Sequence, residues 1–261
     1  MLQIHDMSSI APTGRPKPLE IRAEAQGDEA PMVNPWFAKP NVIRSALWAV
    51  IACIVCLSML SGLLSLYLDI EVGGRMFAVN QEANLPTWFS STLLSACAFS
   101  ALIVATRHNA VRHGTRVHWL ALAALMLFLS LDETAMIHER FGAIGSIIGE
   151  FEAVYEWVFV GAALVVLVGW AFLPFLARLP RPVAERYVLA GALYVGGALG
   201  LEVVAGVLNF QLGEGYDVSL GKLLLTHLEE ALEMIGAAVF LLATLALLRT
   251  FGTEDYRREI T

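Results

Sequence analysis

The sequence predicts an all-α protein that crosses a membrane six times. Of the 261 residues, 57% are hydrophobic and only 16% are charged. The mean hydropathy is +0.65, far more apolar than is usual for a water-soluble domain. The apolar residues also form separate runs, each long enough to cross roughly 30 Å of hydrocarbon as a helix. These runs cover residues 43–68, 87–106, 118–138, 155–177, 186–209 and 223–248.

The apolar runs divide the chain into three parts. Residues 1–41 are Pro-rich and polar and predict a disordered cytoplasmic tail. Residues 42–250 are predicted to form one six-helix membrane domain, and residues 251–261 a short cytoplasmic tail. The connection 139–154 carries apolar residues at three-to-four spacing, which predicts a short interfacial helix or lid.

The distribution of Lys and Arg predicts the orientation in the membrane. If the amino terminus is inside, 14 of the 17 basic residues lie in cytoplasmic segments, where positive charge is normally retained. The other side holds Arg75, Arg140 and Lys222. We therefore expect both termini to be cytoplasmic, in a bacterial-type inner membrane. The basic loop 107–117 is then a topology anchor near anionic lipid, and no nucleic-acid partner is expected.

Acidic residues and histidines lie inside the predicted spans. The third and sixth runs are uninterrupted only over 119–131 and 234–248, which is too short to cross a bilayer. Each span must therefore include the carboxylates beside it. Ionisable groups inside a membrane are costly unless they are paired or bound to something, so by default they indicate a functional site.

Helical spacing brings these groups together. At about 100° per residue, Asp132, His138 and Glu139 share one arc of the third span, and Glu133 lies on its flank. In the sixth span His227, Glu230 and Glu233 share an arc that excludes Glu229, and Glu202 lies at the same depth in the fifth. We expect three helices to converge on one site that faces the periplasmic or extracellular side.

Two histidines with several carboxylates form a ligand set that suits one or two ions of Fe, Mn or Zn. Glu133 and Glu229 are predicted to be non-ligating general bases. Di-iron carboxylate bundles use similar ligands but carry Glu-x-x-His motifs, which this chain lacks, so the likeness extends only to the type of ligand. The predicted metal ligands are Asp132, His138, Glu139, Glu202, His227, Glu230 and Glu233.

These features favour a metal-dependent enzyme, either a hydrolase or an oxidoreductase, that acts on a lipid or another membrane-embedded substrate. One alternative is a transporter or channel in which the acids form a cation or proton pathway. Another is a non-catalytic subunit of a larger membrane complex. A conduit should carry polar groups across the whole membrane, whereas 120–128 and 237–248 contain no ionisable residue. A pocket open to one side therefore fits the sequence better.

Overall fold

A computed structural model describes residues 40–70, 74–77, 84–107, 115–140 and 155–259. Within these ranges, all regular secondary structure is helical. A π-helical segment, Gly196–Leu201, joins α6 to α7, and 3-10 turns cover Gly74–Phe77 and Gly213–Gly215. The α-helices are α1 (Pro40–Leu68), α2 (Leu85–Thr106), α3 (Arg116–Ala135), α4 (Ile137–Arg140), α5 (Trp157–Leu176), α6 (Arg181–Val195), α7 (Glu202–Leu212) and α8 (Leu220–Glu259).

Six helical runs in the described part of the chain are long and apolar enough to cross a membrane. The prediction of an all-helical protein with six such helices is therefore confirmed. The fifth run, Arg181–Leu212, combines α6, the π segment and α7, and is longer than predicted. The third ends at Ala135 and not at residue 138.

Several predicted features lie wholly or partly outside the described residues. These are positions 1–39 of the predicted amino-terminal tail, 108–114 of the basic loop and 141–154 of the predicted interfacial helix. At the other end of the chain, α8 continues as a helix to Glu259, across the predicted boundary at residue 250.

The centre of the bundle is formed by α2, α3, α6 and α8, with α2 packed along α3 and α8 in contact with both α2 and α6. Serines connect α2 and α3. The Ser91 hydroxyl donates to the Ser130 carbonyl oxygen at 2.9 Å, and the Ser130 hydroxyl donates to the Ser91 carbonyl oxygen at 2.8 Å. Ser95 Oγ also lies 2.9 Å from Ser130 Oγ. Small polar residues allow the helices to approach closely and to exchange hydrogen bonds.

Helix α5 is the least enclosed of the six. Only 11% of its apolar window is buried inside the protein, compared with 50% for α2. Its contacts are mainly with α4 and the π segment. At one of these contacts, a Cβ added to Gly161 would lie 2.8 Å from Leu199 Cδ2 and 3.2 Å from the Trp157 ring. Beyond this contact, space remains between α5 and the centre of the bundle.

Candidate functional site

A cavity of about 1510 Å³ lies between α1, α3, α5, α6 and α8, and its lining changes character along its length. One part, which we name the apolar slot, is lined by residues such as Leu125, Met126, Val165, Val168, Val188 and Gly191. The other part, which we name the acidic end, is lined by Asp132, Glu133, His138, Glu202, Asp217, Lys222, His227, Glu229, Glu230 and Glu233.

Asp132 and His138 form a hydrogen-bonded pair because the chain reverses between them. Met136 adopts a left-handed conformation with φ 48°, and its N–H donates to the Asp132 carbonyl oxygen at 2.8 Å. Helix α4 then starts at once, so the His138 N–H donates to Asp132 Oδ1 at 2.7 Å. The ring Nδ1 of His138 lies 3.1 Å from Asp132 Oδ2. The two residues therefore meet through a break in the helix, and not through the shared face of a continuous helix over 118–138.

This pairing sets the orientation of the His138 ring. When Nδ1–H donates to the Asp132 carboxylate, the lone pair of the neutral imidazole is on Nε2. Carboxylates hold metal-ligating and proton-accepting histidines in this way in many enzymes. The His138 ring centroid also lies 4.9 Å from that of Trp157, at the start of α5. His138 is thus held by groups on two sides.

His227 is buried, with 5% of its surface exposed, and connects α8 to α1. Its Nδ1 lies 2.7 Å from the Leu223 carbonyl oxygen, which can only accept, so this nitrogen carries a proton. Its Nε2 lies 3.1 Å from Ser58 Oγ, and the Ser58 hydroxyl donates to the Phe77 carbonyl oxygen at 2.6 Å. Both ring nitrogens therefore already contact protein groups. A metal at Nε2 would take the place of the Ser58 contact.

The carboxyl groups of the fifth and sixth spans meet directly. The carboxyl groups of Glu202 and Glu229 lie close to each other, and Lys222 lies near Glu229. Two carboxylates at such close range repel each other, so this arrangement favours a proton or a cation between them. Glu233 lies within electrostatic range of both residues and also of Glu230.

Tyr194 brings α6 into the same group. Its hydroxyl lies within electrostatic range of Glu233, Glu133, Asp132 and Glu230. The acidic end thus joins groups from α3, α6, α7 and α8. The sequence reasoning missed Tyr194, although a polar group inside a predicted span is the same kind of signal as the acids gave.

Two glycines allow the fifth and sixth spans to approach closely enough for these contacts. A Cβ at Gly197 would lie 2.8 Å from the Glu229 carbonyl oxygen and 3.2 Å from Glu233 Cγ. A Cβ at Gly236 would lie 2.8 Å from the Tyr194 backbone nitrogen. Gly197 is part of the π segment, which ends immediately before Glu202. Short π-helical segments occur frequently at functional sites.

Tyr155, just outside the fourth span, adds a hydroxyl beside Glu202. Burial raises the pKa of Tyr155 above its usual value, and the charges of Glu202 and Asp217 raise it further. A hydrogen bond with Asn209 has the opposite effect. Nothing in the pattern of the sequence distinguishes Tyr155 from an ordinary interfacial tyrosine, so sequence reasoning could not identify it.

Eight of the nine predicted site residues line the cavity. The ninth, Glu139, belongs to α4, and the structure describes only its backbone. Among the described residues, no group of three or more His, Cys, Asp or Glu side chains is arranged to hold a metal ion. The assignment of metal ligands therefore stays a prediction.

The family described as a domain of unknown function, DUF8692, matches residues 44–248. The chain belongs to this family. The DUF8692 match runs from α1 into α8 and so contains both the acidic end and the apolar slot. No curated protein and no solved structure matches the chain significantly.

Proposed function

We propose that this DUF8692 protein is an integral membrane enzyme that acts on the polar end of a lipid or a similar membrane-embedded substrate. The observation that carries this proposal is the change of lining within one cavity, from reactive side chains at the acidic end to hydrocarbon along the slot. An amphipathic substrate has the same two parts. An ion pathway would need polar groups along its full length, and the apolar slot does not supply them.

In this proposal His138 is the general base. Its Nε2 accepts a proton from a substrate hydroxyl or from water, while Asp132 holds the ring and stabilises the imidazolium that forms. Glu229, which lies beside Glu202, is the acid that donates a proton to the leaving group. The sequence assigned the base role to Glu133 and Glu229. Because two neighbouring carboxylates favour binding a proton, we assign Glu229 the donor role instead.

A divalent cation, Fe, Mn or Zn, is the proposed cofactor. Seven carboxyl groups line the cavity, and Lys222 is the single Lys or Arg among the described lining residues. Protons or a cation must offset this excess of negative charge. Glu230 and Glu233 of α8 are the ligands we favour, because His227 is engaged by Ser58 and Leu223. A metal bound there would polarise a substrate oxygen.

Lipid turnover tests the enzyme proposal. The purified protein in nanodiscs would be incubated with a total bacterial lipid extract and Mn²⁺, Zn²⁺ or Fe²⁺, and the lipids followed by mass spectrometry. We expect one lipid class to be consumed, and consumed about 10²–10⁴-fold more slowly by a folded His138→Ala variant. No change in the lipids with any of the metals, or equal turnover by the variant, would overturn the proposal.

Elemental analysis tests the cofactor separately. Wild-type protein would be compared with a Glu230→Gln/Glu233→Gln double variant after anaerobic reconstitution with each metal. Stoichiometric metal that is absent from the variant would support the assignment. Wild-type protein without metal would exclude a resident metal and leave proton transfer by His138 as the chemistry.

We also propose that both termini are cytoplasmic and that the acidic end faces the outside of a bacterial-type inner membrane. The excess of Lys and Arg in the segments assigned to the cytoplasm supports this orientation. The test is labelling of Asn80→Cys and Gly215→Cys in a background without the three native cysteines. An impermeant thiol reagent should label both sites in intact cells. Protection of both sites from the reagent would contradict this orientation.

A further inference from the structure

We propose that the apolar slot binds the hydrocarbon chain of a single-chain lipid with a hydroxyl or amine head, and that an aromatic floor limits the length of that chain. The inference deepens the proposed function, on which it rests, by naming the class of substrate. It depends on three features: the floor, the depth of the slot and the charge at its other end.

The aromatic floor consists of Trp119, Phe175, Tyr187 and Phe240, and three of these rings line the cavity while Trp119 packs behind them. The ring centroids of Trp119 and Phe175 lie 5.1 Å apart in an edge-to-face arrangement. Tyr187 and Phe240 are stacked with centroids 4.8 Å apart. Phe175 is 1% exposed, so its ring has little freedom to move aside. The floor is therefore a fixed end to the slot.

The depth of the slot follows from the helix rise. Leu122 and Asp132 both line the cavity on α3 and are ten residues apart, which corresponds to about 15 Å. On α8, Glu233 and Phe240 are seven residues apart, or about 10 Å. A carbon–carbon bond is about 1.5 Å long, and each carbon of an extended hydrocarbon chain adds somewhat less than this to the length of the chain. The slot thus accommodates about 8–12 carbons below the acidic end.

The charge at the acidic end determines which head groups are compatible. Seven carboxyl groups outnumber the combined charge of Lys222 and one divalent cation, so the acidic end disfavours a phosphate or carboxylate head, because like charges would be brought together. Hydroxyl and amine groups instead donate hydrogen bonds to carboxylates. The occupant we infer is therefore a medium-chain lipid with a neutral or cationic head.

Two glycines provide a way to block the slot without disturbing the fold. Gly169 on α5 and Gly191 on α6 both line the cavity, and a Cβ added to either would meet no atom within 4 Å. A leucine at residue 191 would therefore extend into the slot. Gly200→Leu is the matched control, because its added Cβ also meets nothing within 4 Å and residue 200 does not line the cavity.

The probes are monoacylglycerols with a terminal photoreactive diazirine and chains of 8, 10, 12, 16 or 18 carbons. They would be cross-linked to the protein in nanodiscs, and the labelled peptides identified by mass spectrometry. In the wild-type protein, we expect labelling of slot residues to be about tenfold or more weaker with 18-carbon probes than with 12-carbon probes. Gly191→Leu should weaken labelling by the 12-carbon probe to a similar extent, whereas Gly200→Leu should not. Phe240→Ala should restore labelling by the longer chains. A diazirine fatty acid of equal length should label the slot less than the monoacylglycerol.

Equal labelling across all chain lengths, or equal labelling of the Gly191→Leu and Gly200→Leu variants, would overturn the slot proposal. Stronger labelling by the fatty acid would overturn the assignment of the head group. Because cross-linking requires no turnover, a labelled slot in an inactive protein would support this inference while overturning the enzyme proposal. Turnover that is independent of chain length and unaffected by Gly191→Leu would support the enzyme proposal and overturn this inference.

Discussion

The two ends of the cavity are built in different ways. At the acidic end the backbone departs from the α-helix twice, at Met136 and in the π segment Gly196–Leu201. At the aromatic floor the contributing helices are α-helical throughout, with Pro174 inside α5 beside Phe175, and ring contacts between side chains define the surface. Irregular backbone is costly and persists mainly where function requires it. Irregular backbone thus positions the ionisable groups at one end of the cavity, whereas side-chain packing forms the surface at the other.

Disrupting the close contact at the acidic end is expected to have the largest effect on stability. A methyl group in Gly197→Ala would meet the Glu229 carbonyl oxygen at 2.8 Å, and a backbone atom cannot rotate away. The fifth and sixth spans must then separate, which we expect to lower the free energy of unfolding by about 1–3 kcal/mol. The free energy of unfolding would be measured in mixed micelles of SDS and a mild detergent.

Gly200→Ala is the matched control, since its Cβ meets nothing within 4 Å in the same π segment. It should be neutral or stabilise the protein by about 0.5–1 kcal/mol, as alanine does in helices. Equal stabilities for the two variants would contradict the arrangement described for Gly197.

The left-handed residue at the end of α3 provides the second test. Met136→Val puts a β-branched side chain at φ 48°, which we expect to cost about 1–2 kcal/mol and to weaken the Asp132–His138 hydrogen bonds. Met136→Gly removes the steric strain and should keep stability near that of wild type. Thermal unfolding in detergent measures both variants. If Val is tolerated as well as Gly, residue 136 does not need the left-handed conformation.

At the aromatic floor, removing a hydroxyl group is expected to have a smaller effect on stability. The Tyr187 hydroxyl lies 2.8 Å from Thr244 Oγ1, which itself donates to the Phe240 carbonyl oxygen. Tyr187→Phe therefore removes one hydrogen bond without leaving Thr244 unpartnered, and should cost about 0.5–1.5 kcal/mol. Tyr67→Phe, at a residue that is 65% exposed, serves as the reference in the same unfolding assay. A loss no greater than that of the reference would argue against this contact.

The smallest expected effect is on how stability changes with pH. The pKa of Tyr155 is raised in the folded protein, mainly by burial, so the folded state holds this proton more tightly than the unfolded state. The resulting stability is present below the ordinary tyrosine pKa of about 10 and is lost as the pH rises through the higher folded value. Tyr155→Phe should therefore lose less stability than wild type between about pH 10 and 11.5. Parallel losses in the two proteins would contradict the raised pKa.

Sequence reasoning succeeded where the signal is local. Hydropathy predicted the six long helices, and the ionisable residues selected within and beside the predicted spans include eight that line one cavity. It missed the end of α3, because methionine has no particular tendency toward the left-handed conformation of residue 136. It also missed the hydrogen bonds of His227 to Ser58 and Leu223, since the first depends on how α1 and α8 pack. The apolar slot could not be predicted, because it is the space left by the sparse packing of α5.

The close approach at Gly197 and Gly236 also determines which wall of the cavity can adjust. The backbones of the fifth and sixth spans touch there, so no change of side-chain rotamer alters their separation. Helix α5 is held instead by side chains, with Gly161 against Leu199 near its start and Phe175 against Trp119 near its end. The cavity therefore has one wall fixed by backbone contact and one wall, α5, whose position is set by side-chain packing. The width available to a bound molecule is a property of α5.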